Sequence, residues 1–216
     1  MPTPPAATPE RPNQPGRKTQ AARNDAVILQ AARDVFLADP KAPIAAVAER
    51  AGVGISALYR RYASKEELLR TLCHDGLRRF IDEALAAEAE PDGWRALCGF
   101  LRRVVEADVH SLTVHLAGTF TPTAEMGRAA ERANALGTAL VDRAHASGHL
   151  RNDVVASDLG LVLEGCAAIR LPDPERTAQL RQRYLAVLLD GLAAAGDGVL
   201  PGPAPLPGEL DWRWAR

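Results

Sequence analysis

The residues best suited to chemistry lie between positions 55 and 65, where small, hydroxyl-bearing and basic side chains follow one another closely. The hydroxyls of Ser56 and Tyr59 can donate hydrogen bonds to phosphate oxygens. The guanidinium of Arg60 or Arg61 can bind a guanine edge through two hydrogen bonds or neutralise a phosphate. Small side chains such as Ala57 allow a helix to approach base edges closely. The pattern predicts a DNA-contacting surface with the candidate residues Ile55, Ser56, Ala57, Tyr59, Arg60, Arg61 and Lys65.

A tight turn between two short helices would present these side chains. We predict helices over about 44–50 and 55–62, joined by the sequence Ala-Gly-Val-Gly. Ala48 and Ala51 are small enough for the two helices to cross closely, and Gly52 can adopt a positive φ at little cost. The same Ala-Gly-Val turn also occurs in helical domains that bind no DNA. It therefore predicts a helix-turn-helix only in combination with its flanking segments.

Both flanking segments support that prediction. Asn24 or Asp25 can cap a preceding helix, whose inward face would carry Ile28, Ala32, Val35 and Phe36. After the second short helix, Ser64 and Glu67 have the spacing of a capping box. Lys65 then lies at the exposed N-terminus of the following helix, where a phosphate is well held.

The composition predicts an all-α fold. Of the 216 residues 47% are hydrophobic and only 5% aromatic, and no run of alternating β-branched residues is long enough for a strand. We predict about nine helices. Residues 1–72 carry 11 basic and 7 acidic side chains, whereas residues 73–216 carry 15 and 20. A basic first third joined to an acidic remainder suits a polyanion-binding unit on a body with another task.

The stretch from about Asn24 to Leu72, reading ILQAARDVF…IAAVAERAGVGISALYRRYASKEELL, resembles the DNA-binding domain of the TetR family of regulators. The later GHLRNDV…DL sequence resembles the second half of family members more loosely. The resemblance implies a homodimer that binds double-stranded DNA at a palindromic operator. It places the family's recognition contacts on Ile55, Ser56, Ala57, Tyr59 and Arg61, and its phosphate-binding lysine on Lys65.

The sequence departs from the family pattern at two positions. Family members often have Ser or Thr at the cap of the second helix, where Ala42-Pro43-Ile44 offers no hydroxyl, with Pro43 suited to the first helical turn. Many also have a hydroxyl near the start of the recognition helix, where this chain has Gly54. Both changes remove phosphate contacts, so we expect weaker binding or a larger contribution from the basic N-terminal arm.

The expected organisation has four parts. Residues 1–22 form a disordered arm, 23–72 the helix-turn-helix domain, 73–196 a helical ligand-binding and dimerisation domain, and 197–216 a Pro- and Gly-rich, mostly disordered tail whose Trp212 and Trp214 would need somewhere to dock. Helices over about 156–170 and 173–195 are apolar on more than one face. A symmetric bundle with a second chain would cover both faces. Burial inside one monomer is the alternative.

A ligand site is harder to locate from sequence. The resemblance implies that the middle helices enclose an unknown small-molecule effector. The candidates that combine apolar bulk with a few polar groups are Trp94, Cys98, His110, His115, Phe120, Met126 and Glu164. Ordinary core packing is the alternative for each of them. Glu164 stands out, because a carboxylate in an apolar stripe needs a partner such as a cationic ligand, Arg170 or Arg102.

We expect a cytoplasmic protein with no membrane segment, metal or cofactor. The N-terminus lacks a signal peptide pattern, the three cysteines are far apart, and no histidine pair has convincing metal-ligand spacing. GxSxG, phosphate-loop and HExxH motifs are missing, so we assign no catalytic residues and consider a helical-bundle enzyme the weaker alternative. The favoured function is a repressor that a small ligand releases from its operator. A DNA-binding regulator without such an effector stays open.

Overall fold

Helices form most of the chain, as its Ala- and Leu-rich composition predicts. The structure is a computed structural model that describes residues 17–194, 198–206 and 208–210, with side chains from Asn24 onward. The all-α fold class is confirmed. The helices are α1 (Arg17–Ala38), α2 (Ile44–Ala51), α3 (Ile55–Arg61), α4 (Lys65–Ala86), α5 (Gly93–Glu106), α6 (Val109–Leu116), α7 (Ala124–Ala146), α8 (Asp158–Ala168) and α9 (Pro174–Leu192), with a 3₁₀ turn over Ala87–Ala89.

The first helix begins earlier than predicted. It starts at Arg17, so Asn24 and Asp25 lie inside α1 and do not cap it. The residues from 17 to 23 include two alanines and several long straight-chain side chains, all good helix formers. They carry no apolar periodicity, which is why the sequence pattern missed them. Residues 17–22, the last six of the predicted disordered arm, are therefore helical. Residues 1–16 lie outside the described chain.

The helix-turn-helix forms by the predicted local chemistry. Gly52 ends α2 with φ +66°, and its N–H bonds back to the Glu49 carbonyl at 3.1 Å. Pro43 precedes α2 as its extended N-cap residue and does not occupy the first helical turn. At the start of α4, Ser64 accepts a hydrogen bond from the Glu67 N–H, while the Glu67 carboxylate accepts one from the Ala63 N–H at 2.7 Å. The capping box therefore closes one residue earlier than its usual form.

The buried side chains of the described residues pack into two hydrophobic cores. One lies under α1 to α4 and includes Phe36, Leu58 and Leu69, but it also takes Leu112 and Leu116 from α6 and Phe120 and Met126 beyond it. The other lies among α5, α7, α8 and α9 and is built around residues such as Leu97, Leu101 and Leu185. Because α6 contributes to the first core and packs against α8, it joins the N-terminal helices to the body.

The C-terminal tail is partly ordered against the body, contrary to the expectation of disorder. The Leu200 N–H donates to Asp153 Oδ2 at 2.7 Å, and Arg151 donates to the Gly198 carbonyl. The side chain of Leu210 lies directly over Gly160 of α8. The sequence pattern missed these contacts because they join the tail to a distant turn. Trp212 and Trp214 lie outside the described residues.

Candidate DNA-binding surface

The recognition helix α3 is anchored by one side chain and exposes the rest. Leu58 is fully buried in the first core. Among the candidates on α3, Ala57 is half-buried, and the exposed ones are Ile55, Ser56, Tyr59, Arg60 and Arg61. Tyr62, the C-cap residue of α3, is buried in the same core and holds the end of the helix. The arrangement leaves one side of the helix open to a DNA groove of ordinary width.

Arg61 is already paired within the protein. Its Nη2 contacts Asp25 Oδ2 of α1, although the side chain remains 55% exposed. The Asp25 carboxylate, by hydrogen bond and charge, raises the pKa of the Arg61 guanidinium. Arg60, by contrast, has no ion-pair partner in the part of the chain that the structure describes. The sequence did not reveal Asp25 as a competitor, because the pairing depends on how α1 crosses α3.

Lys65 is also engaged. Its Nζ donates hydrogen bonds to the Pro40 and Ala42 carbonyls at 2.8 and 2.7 Å, and it lies 4.9 Å from the centre of the Phe36 ring. Burial lowers the pKa of this ammonium, and Asp39 partly opposes the effect. An ammonium has three donors, so one N–H is left for a phosphate. Lys65 therefore ties the loop before α2 to the start of α4, in addition to any phosphate contact.

The predicted effector residues do not meet in one cavity. Trp94 and Cys98 pack in the core of α5 and α7, whereas Phe120 and Met126 belong to the core under α1 to α4. Burial raises the pKa of the Cys98 thiol to about 11. Phe120 lines a surface pocket of about 460 Å³, beside Lys65 and the loop before α7.

The polar candidates lie on α6 and α8. His115 Nε2 is 3.2 Å from the Ala167 carbonyl, and Glu164 is half-buried on α8. His110 is buried beside Asp108, a residue that the sequence analysis did not single out. Asp108 binds Arg33 and Arg181, two arginines that were also missed. The sequence spacing could have indicated that Arg181 is buried, because it lies four residues from both Thr177 and Leu185 on the buried face of α9.

Two other features concern the residues that the structure describes. No helix there is both long and apolar enough to cross a membrane. No three histidine, cysteine, aspartate or glutamate side chains of the same residues cluster in a way that could hold a metal ion.

Comparison with known proteins places the chain in a family. Residues 28–72 match the model of bacterial regulatory proteins of the tetR family, and residues 92–194 match the C-terminal domain of SbtR-like transcriptional regulators. The two matches together cover more than half of the chain. No curated protein sequence matches this one.

Solved structures share the same fold. The TetR transcriptional regulator SCO0520 from Streptomyces coelicolor is 27% identical, with a TM-score of 0.58 over 80% of this chain and 99% of that chain. A TetR regulatory protein from Mycobacterium vanbaalenii is also 27% identical, with a TM-score of 0.56 over 82% and 98%. A gamma-butyrolactone receptor, 19% identical, has a TM-score of 0.60 over 82% and 91%. The chain therefore belongs to the TetR family, and it is a DNA-binding transcriptional regulator rather than an enzyme.

Proposed function

We propose that two copies of this chain form a repressor that binds a palindromic operator through α3 and leaves it when a small-molecule effector binds the body. The observation that supports the dimer most strongly is the exposed apolar surface of the last two helices. Val187 of α9 is 64% exposed and Leu161 of α8 is 48% exposed, and the ring of the partly exposed Tyr184 of α9 packs against Gly165 of α8. Exposed side chains of this kind on adjoining helices favour association with a second apolar face.

The charge of α3 supports operator binding. Arg60 is exposed and has no ion-pair partner among the described residues, so it can bind DNA without losing an internal contact. Arg61 must first leave Asp25, and its net contribution is smaller for that reason. We therefore assign the stronger contact to Arg60. Ser56 and Tyr59 supply hydroxyls on the same exposed side, and Lys65 supplies its remaining N–H.

The size and match of the body support control by an effector. Residues 92–194 match a C-terminal domain of transcriptional regulators, and they supply most of the second core, which is larger than two bundle helices need. An effector acts by favouring a dimer in which the two α3 helices no longer fit successive major grooves, about 34 Å apart. The alternative function, a regulator without a small-molecule effector, predicts the same DNA binding but no release.

The first experiment is a gel shift with the DNA upstream of this protein's own gene, over a series of salt concentrations. We expect saturable binding of a dimer to a palindrome, with affinity falling steeply as salt rises. The Arg60→Ala variant should reduce the salt dependence by about one to two counterions per dimer, and Arg61→Ala by less. Arg95→Ala is the matched control, since this exposed arginine lies on α5, away from α3.

If that DNA is bound weakly and without sequence preference, selection from genomic fragments must find an operator. Failure of that selection contradicts the proposal. Repression is tested with a reporter behind the selected operator, whose expression should rise when the regulator gene is deleted. A library of small metabolites added to the gel shift tests effector control. Release by none of them, at saturating concentration, favours the alternative without an effector.

A further inference from the structure

A single half-buried carboxylate connects the N-terminal helices to the last two helices. Asp108 lies between α5 and α6 with φ +53°, a left-handed conformation that few residues other than glycine adopt. Its Oδ1 accepts a hydrogen bond from Arg181 Nη1 at 2.5 Å, and its Oδ2 pairs with Arg33 Nη2 at 3.1 Å. Ser111 donates a third bond to Oδ1.

The two arginines come from opposite parts of the molecule. Arg33 projects from α1, and its guanidinium also donates to the Ala107 carbonyl at 3.3 Å. Arg181 projects from α9, and its Nε donates to the Ile169 carbonyl, at the end of α8, at 3.0 Å. One continuous chain of contacts therefore runs from the proposed dimer interface through Asp108 to α1.

Burial makes this chain of contacts sensitive to the loss of any member. The side chain of Arg181 is 7% exposed and that of Asp108 28%. A buried charge that loses its partner has neither water nor a counterion to compensate it, and its neighbours move to relieve the penalty. Two guanidiniums share the Asp108 carboxylate. Neither Arg33 nor Arg181 has a second acidic partner among the described residues.

We propose that Asp108 is a positioning residue for DNA recognition, which fixes the angle of α1, and with it α2 and α3, relative to α8 and α9. The inference rests on the proposed dimerisation through α8 and α9, because a fixed angle sets the separation of two α3 helices only in a dimer. The ion pairs of Asp108 with Arg33 and with Arg181 hold this angle. An effector that moves α9 or the end of α8 acts on the DNA-binding helices through them.

The test measures the distance between the two parts within one chain. Spin labels are placed on Lys41→Cys, in the exposed loop before α2, and on Ala186→Cys, on the exposed side of α9. The native Cys73, Cys98 and Cys166 are buried, and burial raises the pKa of each thiol, so the introduced cysteines react first. Labelled chains are diluted with an excess of unlabelled chains, so that a dimer rarely contains two labelled copies.

Asp108→Asn is the main variant, because asparagine tolerates the left-handed conformation but carries no charge. We expect the distribution of distances between the two spin labels to shift or broaden relative to that of the labelled protein with Asp108. Arg33→Gln and Arg181→Gln should show the same change. The double variant should change the distance distribution little more than either single variant does, because both arginines bind the same carboxylate. Glu83→Gln is the control. It breaks a comparable ion pair with Arg103, at 2.6 Å, that joins α4 to α5 within the body.

The possible outcomes are distinct. Parental distributions in Asp108→Asn and in both arginine variants, with the proteins still folded by circular dichroism, overturn the positioning role. If Asp108→Asn does not fold, the two arginine variants decide. Light scattering that shows a monomer contradicts the proposed dimer instead, while the distance within one chain still reports on Asp108. Where the dimer persists, operator affinity should fall on the order of 10-fold in Asp108→Asn and stay unchanged in Glu83→Gln.

Discussion

Gly93 lies directly against the backbone of Arg143, at the point where the first turn of α5 meets α7. A β-carbon on residue 93 would overlap the Arg143 carbonyl and crowd the Ala144 N–H at 2.9 Å. The obstructing atoms are backbone atoms of a helix, which cannot rotate away as a flexible side chain can. The close approach of α5 and α7 therefore requires glycine at this position.

The Gly93→Ala variant should be strongly destabilised. Separating two helices that share the body's core exposes or strains several buried side chains, and we expect a loss of about 2–4 kcal/mol in the free energy of unfolding. Gly127→Ala is the matched control, since a β-carbon there meets nothing within 4 Å and the residue lies in helix α7. It should stabilise the protein by about 0.5–1 kcal/mol. Urea unfolding measures both, and equal stabilities for the two variants would contradict this reading of the α5–α7 contact.

A second pair of glycines tests the turn of the helix-turn-helix. Gly52 has φ +66° and Gly54 has φ −66°, and neither has a neighbour within 4 Å of an added β-carbon. Gly52→Ala should therefore lose about 1 kcal/mol from backbone strain alone. Gly54→Ala should be neutral or slightly stabilising, because alanine adopts that backbone freely and restricts the unfolded chain. Thermal melting distinguishes the two, and a larger loss in Gly54→Ala would mean that the left-handed turn is not what glycine provides.

The helix-turn-helix was accessible from sequence because its determinants are local. Gly52, Ser64 and the periodic apolar residues act within one or two turns of where they stand in the chain. The engagement of Lys65 by the Pro40 and Ala42 carbonyls was not accessible, because it depends on how the loop before α2 folds back over α4. The sequence predicted a basic residue at a helix N-terminus but not that it had partners already.

The Asp108 contacts illustrate the same limit over a longer distance. Arg33, Asp108 and Arg181 are separated by more than 70 residues at each step, and no spacing rule links them. The predicted effector residues failed to converge for a related reason. Their types suited a pocket, but Phe120 and Met126 pack under α1 to α4 while Trp94 and Cys98 pack in the body. Residue type alone does not specify which of two cores receives a side chain.

The proposed dimer interface predicts a charge-sensitive position on α9. Val187→Glu should weaken self-association on the order of 100-fold, because a two-fold interface places two unpaired carboxylates in an apolar contact. Light scattering should then give the chain mass of 23.1 kDa in place of twice that value. Val27→Glu is the control, since this valine is also about half exposed but lies on α1. A Val187→Glu protein that remains dimeric would place the interface elsewhere.

His110 predicts an acid-sensitive step in folding stability. Burial lowers the pKa of its imidazole from 6.5 to about 4, with Arg181 lowering it further and Asp108 opposing the shift. Neither ring nitrogen makes a hydrogen bond of ordinary geometry. Above pH 6.5 the imidazole is neutral in both the folded and unfolded chain, so it adds no pH dependence there. Between pH 6.5 and about pH 4 only the unfolded chain binds the proton, and stability must fall as the pH is lowered.

The expected loss across that window is about 3 kcal/mol. The neighbouring Asp108 acts at lower pH: burial raises the pKa of this carboxyl, but Ser111 and the two arginines outweigh that effect and hold it below 3.8. Its contribution is lost only as the pH falls below that value. Urea unfolding from about pH 7 to about pH 4.5 therefore stays above the range of Asp108. Burial also lowers the pKa of the His115 imidazole, so His115 adds to the loss in the same direction. His110→Phe, which keeps an aromatic ring but cannot titrate, should reduce the pH dependence, whereas His149→Gln at an exposed position should retain it in full. An unchanged slope in His110→Phe would assign the acid sensitivity to other groups.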